Sequence, residues 1–165
     1  MIYIFDSSTL INLFRYYYKD RFPTLWNNFN DLVESGNIIS VREAYNEIAN
    51  SEDDLSSWAK EHKTKVFLPP ESQEEIQFLQ TFFQTEKYQQ LIKFRNLKRG
   101  TPVADPFIIT KAKCTENSCI VTEEGFFINS NKVKENSYQI PHICNDLEID
   151  CVNFQKFMEK EKWTF

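Results

Sequence analysis

The sequence has very few glycines, only three in 165 residues. No glycine-rich loop that could wrap a phosphate is present, which excludes the nucleotide-binding folds that depend on one. An all-β fold is also disfavoured, because it needs many short turns. Histidine is equally scarce, and His62 and His142 stand alone in the chain. Catalysis by a serine–histidine or cysteine–histidine arrangement is therefore not favoured.

Long apolar runs are missing as well, and those present are far too short to span a bilayer. Met1 leads straight into a strand pattern, so we expect no signal peptide. The four cysteines match no standard zinc spacing; they are Cys114, Cys119, Cys144 and Cys151. We expect reduced, largely buried thiols in a cytoplasmic protein that has no membrane partner.

Aromatic side chains, in contrast, are abundant: they make up 15% of the residues and include fifteen Phe. This composition predicts a core filled by bulky rings. The length is that of one ordinary domain, so we predict a single domain over residues 1–165. The formal net charge of −5 gives no overall attraction for nucleic acid. It does not exclude a nucleic-acid enzyme, because a carboxylate site that holds metal adds negative charge itself.

Strand patterns and helix patterns alternate along the chain. The predicted strands cover 1–6, 38–40, 119–122 and about 150–153. The predicted helices cover 8–19, 22–35, 41–49, about 51–62, about 72–85, a stretch opening at Asp105-Pro106, about 142–147 and 154–161. This order predicts an α/β fold, a three-layer α/β/α sandwich with a central parallel sheet. Residues 50–100 are interpreted as a helical insertion.

Four acidic positions stand where such a sheet would present its chemistry. Asp6 ends the first strand, and ligands of open α/β sheets bind outside the carboxyl ends of the strands. Asp105 opens a helix, and Glu124 follows the strand that ends at Thr122. The fourth acid must come from helix 41–49.

That helix offers two acids, Glu43 and Glu47. At 100° per residue its apolar side chains form one arc, and Glu47 falls about 60° outside the edge of that arc. Glu43 falls about 100° outside it. Glu47 is thus better aimed at a cleft beside the sheet, and Glu43 is kept as the alternative.

A set of carboxylates without His or Cys selects Mg²⁺ or Mn²⁺ over zinc or copper. Carboxylates packed together repel one another unless cations neutralise them. One or two such ions can activate a water for attack on a phosphodiester, so the set indicates a metal-dependent nuclease. Each acid also has a plain structural interpretation: Asp105 as a helix cap, Glu47 as a surface residue and Glu124 as a turn residue.

Basic residues cluster between Lys87 and Arg99, where no acidic residue intervenes. The candidates for contacts with RNA phosphates are Lys93, Arg95, Lys98 and Arg99. A solvated helix face explains the same cluster without any ligand.

The order of the acidic motifs resembles the PIN-domain ribonucleases. The matching stretches are Ile4-Phe5-Asp6-Ser7-Ser8, Val41 to Ile48, Ala104-Asp105-Pro106-Phe107-Ile108 and Val121-Thr122-Glu123-Glu124. Phe14-Arg15-Tyr16-Tyr17-Tyr18 and the closing Glu161 to Phe165 look like a bacterial subfamily known mainly as a domain of unknown function. The resemblance covers nearly the whole chain and favours Glu47 over Glu43 by its distance from the preceding strand.

The resemblance implies that Asp6, Glu47, Asp105 and Glu124 bind Mg²⁺ or Mn²⁺ as the catalytic set. Ser8 and Thr122 would support the site. It further implies an endoribonuclease that acts on RNA and has an antitoxin as its partner, since many members are toxins of toxin–antitoxin pairs. A homodimer is a separate expectation for the chain. Glu124 stands where the family usually has Asp, and Ser8 where it usually has Asn.

Two other functions compete with this one. The start Asp6-x-Ser8 also resembles haloacid-dehalogenase-like phosphatases, but Ser8 stands where those enzymes need a second Asp as general acid. The second is an inactive PIN-like domain retained for protein binding, which would be unable to bind Mn²⁺.

Overall fold

The structure is a computed structural model, and it describes residues 1–89, 103–125 and 139–165. The strands are β1 (Ile2–Phe5), β2 (Ile38–Val41), β3 (Phe67–Leu68), β4 (Ser118–Val121) and β5 (Cys151–Val152). They form one sheet in the order β3-β2-β1-β4-β5, and every neighbouring pair is parallel. The predicted α/β fold with a central parallel sheet is confirmed.

Apart from the short helix at Lys63–Val66, which was not predicted, the described helices lie close to the predicted ones. They are α1 (Ser7–Tyr16), α2 (Pro23–Glu34), α3 (Arg42–Ile48), α4 (Asp54–Glu61), α5 (Lys63–Val66), α6 (Gln73–Gln84), α7 (Asp105–Lys113), α8 (Ile140–Leu147) and α9 (Phe154–Lys160). The described part of the predicted helical insertion, residues 50–89, is mainly helical, and it also contains the short strand β3, which pairs with β2 at the sheet edge. A two-residue strand is too short to leave a period in the sequence.

The start of α7 also differs from the prediction in one detail. Asp105 is not the N-cap; Ala104 occupies that position, and Asp105 and Pro106 are the first two helical residues. Proline fits there because its missing N–H would have had no partner within the helix anyway. The Asp105 side chain is therefore not required to cap α7.

The sheet separates two apolar cores, because successive side chains of a strand point to opposite faces. Tyr3 and Phe5 of β1 belong to one core, which α1, α2, α4 and α9 cover. Ile4 belongs to the other, which α6, α7 and α8 cover. Helices on both faces give the three layers that the sequence predicted.

The aromatic side chains are concentrated on one of these faces. The first core contains Phe5, Phe29, Trp26, Trp58 and Phe157. Among the described residues of the second core, Phe82 is the only aromatic side chain that is fully buried. The ring-filled core predicted from composition is thus one half of the interior, and the other half is mostly aliphatic.

The order of the strands reverses next to β1. From β1 the chain proceeds outward to β2 and β3, then returns to β4 on the other side and continues to β5. Phe5 of β1 pairs with Val121 of β4, so the two strands end side by side. A gap of this kind between oppositely directed crossovers is the usual ligand site of an open parallel sheet.

The four cysteines are free thiols. Cys119 and Cys144 are buried, whereas Cys114 and Cys151 are partly exposed. Burial raises the pKa of the Cys119 thiol to about 11, so it is protonated and unreactive at neutral pH. Within the described residues, none of the helices is both long and apolar enough to cross a bilayer.

A buried ion pair joins α6 to α7 on the aliphatic side. Glu75 of α6 pairs with Lys111 of α7, and their side chains are 7% and 11% exposed. Glu75 also accepts hydrogen bonds from the backbone N–H groups of Glu71 (2.8 Å) and Ser72 (3.1 Å). Burial alone would raise the pKa of the Glu75 carboxyl, but the hydrogen bonds from Lys111 and this backbone outweigh it and hold the pKa below its ordinary value.

We expect Glu75→Gln to lower the free energy of unfolding by about 3–5 kcal/mol at pH 7, because it leaves Lys111 buried without its counter-ion. A lowered folded-state pKa means that the stabilisation is present above the unfolded pKa of about 4.3 and is lost as the pH falls through the folded value. The difference in the free energy of unfolding between wild type and variant should therefore become smaller in acid. Urea unfolding at several pH values would measure it. Glu34→Gln, which breaks the exposed pair with Lys65, is the control and should change little. A difference in unfolding free energy that does not change with pH would contradict the stabilising role of the ionised Glu75.

Candidate metal site

Asp6 lies at the carboxyl end of β1, beside the end of β4. Its backbone N–H donates to the carbonyl of Val121 (3.0 Å), which joins the two strand ends. Its own carbonyl accepts from the N–H groups of Thr9 and Leu10 and so starts α1. The residue is only 2% exposed, yet its side chain does not cap the helix. A buried carboxylate that is not used for capping needs other partners.

Those partners are hydroxyl groups that follow β1 and β4, on the two sides of the switch point, where the order of the strands reverses. Ser8 Oγ donates to Asp6 Oδ2 at 2.6 Å, and Thr122 Oγ1 donates to the same oxygen at 3.0 Å. The two hydroxyl oxygens are 3.4 Å apart. Two donors on one oxygen fix the orientation of the carboxylate without neutralising its charge. The predicted supporting residues Ser8 and Thr122 thus contact Asp6 directly.

Glu47 is brought to the same place by Ser7. Ser7 Oγ donates to Glu47 Oε2 at 2.6 Å and lies 3.4 Å from Asp6 Oδ1. Glu47 Oε1 accepts from the backbone N–H of Ala104 at 3.2 Å. Because Ala104 directly precedes Asp105, this bond holds the start of α7 against α3. Asp105 itself is 2% exposed.

Glu124 is tied to the site through its backbone. Its N–H donates to Thr122 Oγ1 at 3.1 Å, and the N–H of Glu123 donates to Ser8 Oγ at 3.2 Å. Each supporting hydroxyl therefore donates to Asp6 and accepts from the loop that follows β4. Two successive hydrogen bonds, through the Thr122 hydroxyl, therefore connect the Glu124 backbone to the Asp6 carboxylate.

The neighbouring acid, Glu123, has a structural role instead. Its Oε1 accepts from the backbone N–H of Phe154 (2.9 Å), the first residue of α9. A carboxylate at a helix N-terminus satisfies an unpaired donor and interacts favourably with the helix dipole. The pKa of Tyr17 is raised by burial and, to a smaller extent, by this carboxylate.

Glu43, the alternative to Glu47, has different surroundings. It is 4% exposed, and its Oε1 pairs with Arg42 at 2.8 Å. Its Oε2 is buried and has no hydrogen-bond partner among the described residues. The structure thus links Glu47, not Glu43, to Asp6 through Ser7. The helical wheel did not anticipate that Glu43 would be the more buried of the two.

The donor set consists of carboxylate and hydroxyl oxygens. Among the described side chains, no three or more His, Cys, Asp or Glu residues form a group that could hold a metal ion as they stand. Mg²⁺ keeps several waters and binds through one or two carboxylates, so this oxygen set fits Mg²⁺ or Mn²⁺ held partly through water.

Two contacts that build the site were not predicted from the sequence. Ser7, which bridges Asp6 and Glu47, follows a strand-ending acid, and that position was the only available signal. The Ala104 N–H leaves no signal, because any residue except proline supplies one. The predicted RNA contacts Lys93, Arg95, Lys98 and Arg99 lie outside the described residues.

Lys87, at the start of the basic stretch, is described. It forms an ion pair with Asp146 of α8 at 2.5 Å. This end of the stretch therefore contributes to contacts within the chain.

Comparisons with known proteins match the chain to a protein family. No curated protein and no solved structure is similar enough to the chain to match it. A family model described as a domain of unknown function (DUF4411) matches residues 3–165, nearly the full length. The chain therefore belongs to the DUF4411 family.

Proposed function

We propose that this protein is a Mg²⁺- or Mn²⁺-dependent endoribonuclease related to the PIN domains. The observation that carries the proposal is the Asp6 carboxylate, buried at the switch point of the sheet and oriented by Ser8 and Thr122. A carboxylate buried at such a point, whose hydroxyl partners leave its charge in place, is suited to a cation.

In this proposal one or two of the acids Asp6, Glu47, Asp105 and Glu124 would bind the metal directly and the others through its waters, since three of them do not form a ligand group as they stand. When bound, the ion would supply an activated water and neutralise charge on the leaving oxygen. Ser8 and Thr122 act as positioning residues, since they contact Asp6 and the loop of Glu124. Ser7 keeps Glu47 near Asp6.

The phosphatase alternative gains no support from this geometry. It needs a proton donor at position 8, whereas the Ser8 hydroxyl is hydrogen-bonded to Asp6 itself at 2.6 Å. A protein-binding module with an inactive site predicts the same fold, so metal binding separates it from the nuclease. A toxin role with an antitoxin partner is proposed on the resemblance alone.

The test is cleavage of a mixed RNA pool by the purified chain in Mn²⁺. We expect cleavage that stops completely when EDTA removes the metal, together with saturable Mn²⁺ binding in titration calorimetry. Cleavage that is insensitive to EDTA would overturn the metal mechanism. Absence of both cleavage and Mn²⁺ binding would overturn the nuclease in favour of the binding module.

A further inference from the structure

A cavity of about 610 Å³ lies beside the candidate site. Helix α1 and the turn after it contribute Phe14, Arg15 and Tyr18 to its wall. Glu47 lines it from α3, so the cavity and the proposed metal site share a residue. Its size is in the range of pockets that bind small organic groups. An occupant would lie directly next to the chemistry proposed for Asp6.

The two aromatic rings on this wall differ in how firmly they are held. Phe14 packs against Trp26 (4.7 Å between ring centroids) and Trp58 (5.5 Å), which fixes its ring. The Tyr18 side chain is free to present a face, because the residue is 62% exposed. Its carbonyl accepts from the N–H groups of Arg21 and Phe22, so the backbone that carries the ring is held in a turn. A ring with an open face on an anchored backbone is a stacking surface.

The charges around the cavity favour a neutral occupant that carries hydrogen-bond donors. Among the described residues that line it, three carry carboxylates (Glu47, Asp53 and Asp54) and one, Arg15, carries a guanidinium. A phosphate would be repelled from the interior, whereas amino and imino N–H groups would find acceptors there. Asp53 caps α4 by accepting from Ser56 N–H (2.8 Å), which leaves Asp54 as the better placed acceptor.

We propose that this cavity binds an unpaired nucleobase of single-stranded RNA, next to the phosphate to be cut. Tyr18 stacks on the base, Asp54 accepts from its exocyclic amine, and Arg15 contacts a flanking phosphate. In a duplex both faces of each base are already stacked, so the cavity selects single strands. The inference rests on the proposed nuclease function and extends it by naming the substrate class.

The test measures binding separately from cleavage. Binding of a short fluorescent single-stranded oligoribonucleotide and of its duplex is followed by anisotropy in the Asp6→Asn background with Mg²⁺, and cleavage is measured in otherwise wild-type protein. We expect Tyr18→Ala to weaken single-strand binding about 5- to 150-fold and Tyr18→Phe to retain it, because a stacked base accounts for that range. Duplex binding, which does not use the cavity, should be weak and unchanged.

Tyr16→Ala is the matched control. Tyr16 is the same residue type two positions away and is 60% exposed, but it does not line the cavity. The inference is overturned if Tyr18→Ala binds the single strand as tightly as the parent, or if Tyr16→Ala loses as much affinity. If the wild type cleaves RNA but binding does not depend on Tyr18, the nucleobase site in the cavity is rejected and the nuclease function is retained. Binding that depends on Tyr18, without cleavage, would remove the nuclease and leave the nucleobase site.

Discussion

Asp6→Asn is expected to reduce Mn²⁺-dependent RNA cleavage by about 10²- to 10³-fold or more, because it removes the charge that the site is built around. Asn keeps an oxygen that can accept from Ser8 and Thr122, so the local hydrogen bonds can persist. The fold should be unaffected, and its melting temperature should not fall, since one member of a group of like charges is neutralised. Initial cleavage rates and thermal melts measure the two effects.

Two further variants make this result specific. Glu123→Gln neutralises an acid in the same loop, but the amide can still accept from the Phe154 N–H, so cleavage should be retained. Thr122→Val removes a hydroxyl that donates to Asp6 without changing any charge, and we expect a smaller loss, about 10- to 100-fold. Equal rates for Asp6→Asn and wild type would show that the activity comes from elsewhere.

Phe157→Ala is expected to cost about 3–5 kcal/mol of the free energy of unfolding. Phe157 is completely buried, and its ring packs edge-on against Tyr3 (4.7 Å), Phe5 (5.1 Å) and Trp163 (5.1 Å). Truncation removes the ring contacts and leaves a cavity that rigid neighbouring rings cannot refill. Since a domain of this size is stable by about 5–15 kcal/mol, the loss is a large share of the total.

Urea unfolding followed by circular dichroism measures this loss. Phe165→Ala provides the comparison, because Phe165 is 65% exposed and its removal should change stability by less than about 0.5 kcal/mol. A similar small effect for Phe157→Ala would mean that the ring cluster rearranges, contrary to the packing described above.

The sheet was predictable because its central strands are short apolar runs that end at turn residues. Ile38–Val41 is fully buried, as such a run requires. The edge strand Phe67–Leu68 escaped prediction, since two residues between helices carry no periodic pattern. The start of α7 was misplaced by one residue because Asp105-Pro106 fits either as cap and first residue or as the first two residues of a helix.

The candidate site was only partly predictable, for reasons of distance along the chain. Asp6 and Thr122 could be placed at strand ends, and parallel strands bring such ends to one edge. The link from Glu47 to the Ala104 N–H joins residues 57 positions apart and depends on how α3 and α7 pack. Helical periodicity describes one helix at a time, so it could rank Glu47 above Glu43 but could not predict that Glu43 is buried and paired with the exposed Arg42.

The one-sided placement of aromatic rings has an optical consequence. All three tryptophans of the chain, Trp26, Trp58 and Trp163, lie in or against the core that α1, α2, α4 and α9 cover. Tryptophan fluorescence therefore reports on that layer and not on the layer of α6, α7 and α8. Phe14 touches two of these indoles and also lines the cavity next to Glu47. The tryptophan emission of the unlabelled protein should therefore change when a ligand binds in that cavity.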